Sequence, residues 1–255
     1  EKVDATLTER FRLIYREAAE LRKPPNLHPT LIYTCDDGVI PFDVTPPQPR
    51  RVEVPAVPGA FLVEHALSRA ECQNFINLTE ALGFTPDAPA TGLVSVLADN
   101  CNLLVPNDFH ETMWSRIAHL LPDSALGFNR RLRTYRYQSG NVYRPHIDGA
   151  WPASGEDADG SYVFDVSGDR WSKLTMLFYF NSVDVRKHGG ATTFYLPVAG
   201  QPGFMNAIPV GPTQGAILFF PHGSAEGSLL HEGSGTTGIK YVARTEVLFQ
   251  KPAKS

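Results

Sequence analysis

The chain has 255 residues, of which 42% are hydrophobic and 20% charged, enough apolar material for a sizeable core and too little charge for a disordered polymer. At that length one domain with extensions is expected. The 23 Lys and Arg against 27 Asp and Glu leave a net charge of −4 without any dense basic run, so nucleic acid is not expected as the main partner.

No stretch approaches the roughly 18 apolar residues of a membrane span, and no membrane association is expected. Three scattered cysteines, Cys35, Cys72 and Cys101, fit neither a zinc ribbon nor a disulfide framework, which points to a reducing, cytoplasmic compartment. The sequence starts at Glu1, so an N-terminus trimmed of a targeting segment is a further expectation. The sequon Asn77-Leu78-Thr79 falls inside a helical pattern and is read as chance.

Residues 4–23 read as an amphipathic helix, with Leu7, Phe11, Ile14, Ala18 and Leu21 three and four apart and Pro24-Pro25 closing it. Proline then punctuates the chain as far as Pro58, with short extended pieces such as Leu31-Ile32-Tyr33, and residues 1–56 are expected to form an arm on a main domain of residues 57–255. A second helix starts at the capping box Ser68-Arg69-Ala70-Glu71 and ends at Gly83; a third follows Asp108-Phe109-His110-Glu111 and ends before Pro122. Past Phe128 short β-rich runs take over at 130–138, 173–180, 191–196, 215–220, 228–232 and 239–249, separated by Gly, Pro and Asn. Helices first and many short strands second give a mainly β, α+β chain built on an antiparallel sandwich or barrel. Residues 149–171, with an acidic, glycine-rich stretch at 155–160, lack a strand pattern and read as either a mobile lid or a disordered insertion.

The densest reactive cluster is Tyr143-Arg144-Pro145-His146-Ile147-Asp148-Gly149. In an extended segment His146 and Asp148 point to one face and can grip one ion. His231 stands at the end of the apolar run Ser228-Leu229-Leu230 and supplies a third ligand. Two histidines and one carboxylate suit non-haem Fe(II) with open positions.

Around this triad the chain resembles the Fe(II)/2-oxoglutarate dioxygenases of the prolyl-4-hydroxylase type. The resemblance runs from about Val57 to Phe249, on four ordered stretches: 133–140 leading into the H-x-D pair, 174–181, Gly189-Gly190-Ala191-Thr192-Thr193-Phe194, and 231–249. It implies a double-stranded β-helix (jelly-roll, cupin-like) core buttressed by the N-terminal helices, with His146, Asp148 and His231 as iron ligands and catalytic centre. It also implies 2-oxoglutarate and O2 as cosubstrates, ascorbate as an accessory reductant, and hydroxylation of a C–H bond in a peptide, prolyl as the family guess, or in a small molecule. The distal carboxylate of 2-oxoglutarate needs a cation after the second histidine. Lys240, in Gly238-Ile239-Lys240, fits the family offset, and Arg244 competes; at about 3.3 Å per residue the two lie roughly 13 Å apart on one strand face, too far for one small diacid to bridge.

The same resemblance places Tyr137, Tyr179 and Thr192 around the cosubstrate. Tyr143 either faces the open coordination positions or packs, and Arg144, Trp151, Arg136, Arg170 and His222 are candidate substrate contacts or ordinary surface and capping groups. Two other readings stand beside this one: a cupin-like metal enzyme that does not use 2-oxoglutarate, and an inactive binding barrel.

Overall fold

A computed structural model describes residues 8–22, 25–90 and 96–251, with Val96 and Leu97 as backbone only. The first strands are β1 (Phe11–Glu17), β2 (Thr30–Cys35), β3 (Arg50–Glu53), β4 (Phe61–Glu64), β5 (Asp99–Leu104) and β6 (Arg131–Tyr137). They are followed by β7 (Val142–His146), β8 (Arg170–Tyr179), β9 (Thr192–Pro197), β10 (Met205–Val210), β11 (Ile217–Pro221), β12 (His231–Gly233) and β13 (Lys240–Gln250). Among the described residues the large sheet has the nine-strand path β1-β2-β5-β6-β13-β8-β11-β4-β3, with two short strands, Thr85–Pro86 beside β5 and Ala125–Phe128 beside β13, off it, and a smaller sheet runs β10-β9-β12-β7 and on to Val96–Leu97.

Strand alternation decides what the large sheet shows to each side. At the end of β8, Phe178 and, one residue past the strand, Phe180 turn outward to helix α1 (Arg69–Leu82) while Tyr179 turns inward. Phe75 of α1 stacks on Phe180 at 4.2 Å, and Met113 and Phe109 of α2 (Asn107–Ile117) fill the same apolar layer. The helices therefore cover the outer face, and the inner face is left to form a second, smaller core with Phe194, Leu218 and Phe220. Helix α1 starts where its capping box requires, with the Ser68 and Glu71 side chains each accepting the other's backbone N–H, and ends at Gly83, whose φ of +90° suits glycine. Glu71 also receives Arg116 of α2 at 2.8 and 2.9 Å, which ties the two helices together in a buried ion pair.

Three expectations are corrected. The described part of residues 4–23 is not a helix: Phe11–Glu17 is strand β1, paired antiparallel with β2, and only Ala19–Leu21 forms a 3-10 turn. β2 runs parallel to β5, 70 residues later, and this distant partner outweighs the local helical spacing. The second capping box does not form either, because α2 begins two residues earlier, at Asn107, with Pro106 in the N-cap position and no side-chain cap. Finally, residues 149–171, which carry no strand pattern in the sequence, contain a short hairpin and pack on the sheet. The Ser154 N–H donates to Asn129 and the short hairpin Gly155–Glu156/Tyr162–Val163 is held to β1, with Arg12 pairing with Glu156 and Tyr15 lying 5.2 Å from Tyr162.

Candidate metal and cosubstrate site

β7 ends and β12 begins on the same spot of the smaller sheet, so His146 and His231 are register partners, and their rings lie 4.4 Å apart. The Nδ1–H of His146 donates to the Arg144 carbonyl at 2.8 Å and that of His231 to the Leu229 carbonyl at 3.0 Å. Those bonds set the tautomer and leave each Nε2 lone pair free to bind. Both Nε2 atoms face Asp148, at 3.2 and 3.6 Å, and one ligand atom from each of the three residues lies within 4.8 Å of the others. Asp148 itself lies two residues beyond the strand end, past Ile147. Tyr143 stacks flat on His146 at 3.7 Å, while Phe220 packs edge-on against His231.

The electrostatics favour a metal. Burial by itself pushes the Asp148 carboxyl up, but Arg244 at 2.8 Å and the two histidines hold it well below its ordinary value, so it is an anion. Desolvation lowers His231 to about 4, which keeps its imidazole neutral. Arg244 belongs to a buried chain: it reaches Glu246 at 3.4 Å, Glu246 also pairs with Arg133, and the Asn129 amide donates to Glu246.

The inward faces of β6, β13 and β8 form ordered rows. Arg133 faces Arg244, Tyr135 faces Val242 and Tyr137 faces Lys240 across β6 and β13, so charge sits at both ends of an apolar middle. Lys240 is 2% exposed, with its ammonium over the rings of Tyr137 and Tyr179 at 5.2 and 5.8 Å. Among the described residues no carboxylate lies within 4.0 Å of it, and burial pushes its pKa down to about 7. The Tyr179 hydroxyl and Thr192 Oγ1 share a hydrogen bond of 2.8 Å beside it. One cavity is lined by His146, Asp148, His231, Tyr137, Tyr143, Thr192, Lys240 and Arg244.

The remaining substrate candidates stand elsewhere. Arg144 has an exposed side chain, as does Arg170. Arg136 pairs with Glu80 and Asp99. Trp151 lies under the Arg133 guanidinium at 4.4 Å and beside Phe164 at 5.4 Å. His222 is buried, and so does not face a substrate. Sequence reasoning missed Thr175, whose hydroxyl donates to Asp148 at 2.7 Å, together with Arg133, Tyr135 and Glu246. The period-two rows Arg133-Tyr135-Tyr137 and Thr175-Leu177-Tyr179 were the available signal.

No protein-family model and no curated protein matches the sequence. Among solved structures, the viral collagen prolyl hydroxylase of Paramecium bursaria Chlorella virus-1, in its 2OG complex, superposes with a TM-score of 0.50 at 17% identity, over 77% of this chain and 99% of that one. The fold is that of the prolyl hydroxylases. It is the double-stranded β-helix, with the two histidines carried on the smaller sheet, Asp148 just beyond it, and the cations on the larger. Also similar are a Pseudomonas putida prolyl-4-hydroxylase, with a TM-score of 0.47 at 16% identity over 76% of this chain and 93% of that one, and the α-ketoglutarate-dependent epimerase SnoN of nogalamycin biosynthesis, with 0.46 at 17% over 76% and 81%.

Proposed function

We propose that the protein is an Fe(II)- and 2-oxoglutarate-dependent hydroxylase. The observation that carries this reading is Lys240: a buried lysine ammonium with no carboxylate partner among the described residues, in the same cavity as a two-histidine, one-carboxylate cluster. An unpaired buried charge is costly, and a carboxylate ligand relieves it. The donor set fits Fe(II): two neutral imidazole nitrogens and one carboxylate oxygen, each oriented by its own hydrogen bonds. When bound, Fe(II) couples decarboxylation of 2-oxoglutarate, to succinate and CO2, to oxidation of a substrate C–H bond by O2.

The chain's own residues then have separate tasks. Lys240, with Tyr137, Tyr179 and Thr192 around it, takes the distal carboxylate of 2-oxoglutarate. Arg244 is spoken for by Asp148 and Glu246, and serves the metal ligand. Val242 and Tyr135 keep water from the space between. Residues 57–255 carry this chemistry. The prime substrate is a peptidyl residue, prolyl by likeness to the fold relatives, or a small molecule of similar apolar character: outside the metal cluster Ile147, Phe164 and Val166 are about half exposed, at 52%, 49% and 49%. Ascorbate is the proposed rescue reductant. A metal enzyme without 2-oxoglutarate would leave Lys240 buried to no purpose.

The test is anaerobic titration of the Fe(II)-loaded protein with 2-oxoglutarate, followed by the visible charge-transfer band of the chelate and by succinate release on admitting air. The band is expected in the wild type and absent in His146→Ala. A folded, iron-loaded wild type with neither band nor succinate would overturn the assignment.

A further inference from the structure

Behind the metal cluster lies a line of buried polar groups that no step above uses. His222 is 1% exposed, and both its ring nitrogens are engaged, Nδ1 with Thr175 Oγ1 and Nε2 with Ser172 Oγ, each at 2.8 Å. Thr175 and Ser172 are themselves 0% and 2% exposed. Proton accounting fixes the direction of every bond. Asp148 is an anion and only accepts, so the single Thr175 hydroxyl proton goes to it, at 2.7 Å. Thr175 Oγ1 must then accept from His222, which places the imidazole proton on Nδ1. Nε2 is left as an acceptor, so Ser172 donates to it, and Ser172 Oγ in turn accepts the Trp151 backbone N–H at 2.8 Å.

The line closes on itself. Trp151 lies three residues after Asp148, so the backbone from 148 to 151 returns to the starting carboxylate. The same short segment is pinned twice more, by the Gly223 N–H on the Asp148 carbonyl at 2.9 Å and by the Ser172 N–H on the Trp151 carbonyl at 2.9 Å. His222 and Gly223 are neighbours, so one turn at the end of β11 grips both ends of the ligand-bearing loop.

Building on the metal reading above, we infer that His222 is a positioning residue for the metal ligand Asp148, acting through Thr175 and requiring its Nδ1–H tautomer. Its task is to keep the Thr175 proton directed at one carboxylate oxygen, which, with Arg244 on the other oxygen, fixes the carboxylate so that a lone pair faces the space between the two histidine nitrogens. His222 never touches the substrate. Outer partners of this kind are worth about 10- to 100-fold in metal affinity. Desolvation lowers His222 to about 4, in keeping with a neutral ring.

Two measurements decide it. In the metal-free protein, long-range 1H–15N correlation spectra read the His222 tautomer directly. Protonated Nδ1 is expected, and protonated Nε2 overturns the inference. Next, Co(II) is titrated into the wild type, His222→Phe, Thr175→Val, the double variant and His222→Asn, with visible d–d absorbance as the readout. His222→Phe is expected to weaken Co(II) at least about tenfold, the double variant to bind no worse than Thr175→Val alone, and His222→Asn, whose side-chain amide can still donate to Thr175, to recover most of the loss. A folded His222→Phe protein within twofold of wild type, or additive losses in the double variant, overturns the inference. If the wild type takes up no Co(II), it is the metal assignment that falls, and the tautomer spectrum still decides the hydrogen-bond line.

Discussion

Replacing Lys240 with methionine removes the buried ammonium while keeping most of the stem volume. The lysine is lowered from 10.5 to about 7, a difference worth about 5 kcal/mol at roughly 1.4 kcal/mol per pH unit. Below pH 7 the side chain is charged in both folded and unfolded states, and the folded state carries the full desolvation cost. Between pH 7 and 10.5 the folded protein has released a proton that the unfolded chain retains, so wild-type stability rises with pH across that window. Lys240→Met should therefore be more stable than wild type at pH 6 by a few kcal/mol, with the gap closing toward pH 9; urea midpoints at the two pH values measure this. The same charge makes an opposite prediction for the ligand. At pH 8 only about a tenth of a group with this pKa is charged, so binding a carboxylate beside it should draw in about 0.9 proton. Calorimetry of 2-oxoglutarate binding in two buffers of different ionisation enthalpy reads that number directly. A pH-independent stability gap, together with binding that takes up no proton, would refute the assignment of Lys240 as the buried, ligand-seeking cation.

Other perturbations should respond as follows. Arg244→Met strands Asp148 and Glu246 as buried anions facing Arg133, and should cost about 3–5 kcal/mol in a denaturant melt of the metal-free protein; a loss under about 1 kcal/mol would show that the charge chain is not cooperative. Phe75→Ala, opposite Phe180 on the helix-covered face, should cost about 3–5 kcal/mol without changing the affinity of the folded protein for metal. Ser68→Ala removes one half of the α1 capping box and should cost about 1 kcal/mol, read as a small shift in urea midpoint. Adding Co(II) at 100 times its dissociation constant should stabilise the wild type by about 2.7 kcal/mol and His146→Ala hardly at all.

The parts of this protein that were readable in advance are those whose cause is local. Ser68, Glu71 and Gly83 mark α1 because capping is settled within a single turn, and the strands 131–137, 170–179 and 240–250 follow from hydrophobic runs bounded by turn residues. His146, Asp148 and His231 stood out because few other chemistries place those groups in that order. Phe11–Glu17 was misread because its spacing satisfies a helix equally well, and what decides it is pairing with Thr30–Cys35, which is itself seated against Asp99–Leu104. Ser172, Thr175 and His222 were not legible as a unit. Hydroxyl residues are ordinary in strands, and only register brings position 222 beside 172 and 175. Residues 149–171 looked unstructured for the same reason: their partners are Arg12, Tyr15 and Asn129, all distant in sequence.

β13 sits in the middle of the large sheet, with β6 on one side and β8 on the other, yet it is made after both. During synthesis from the N-terminus, β6 and β8 therefore emerge with a gap between them, each able to pair only on its far side, with β5 and β11, until residues 240–250 leave the ribosome. The strand that closes the gap also brings Lys240 and Arg244 into the cavity. Before it arrives, Asp148 lacks its ion-pair partner Arg244 and the apolar rows on either side are open to water. Folding should accordingly be slow and late, as expected when the decisive contacts are non-local. The nascent chain is at greatest risk of aggregation just before its two cations arrive.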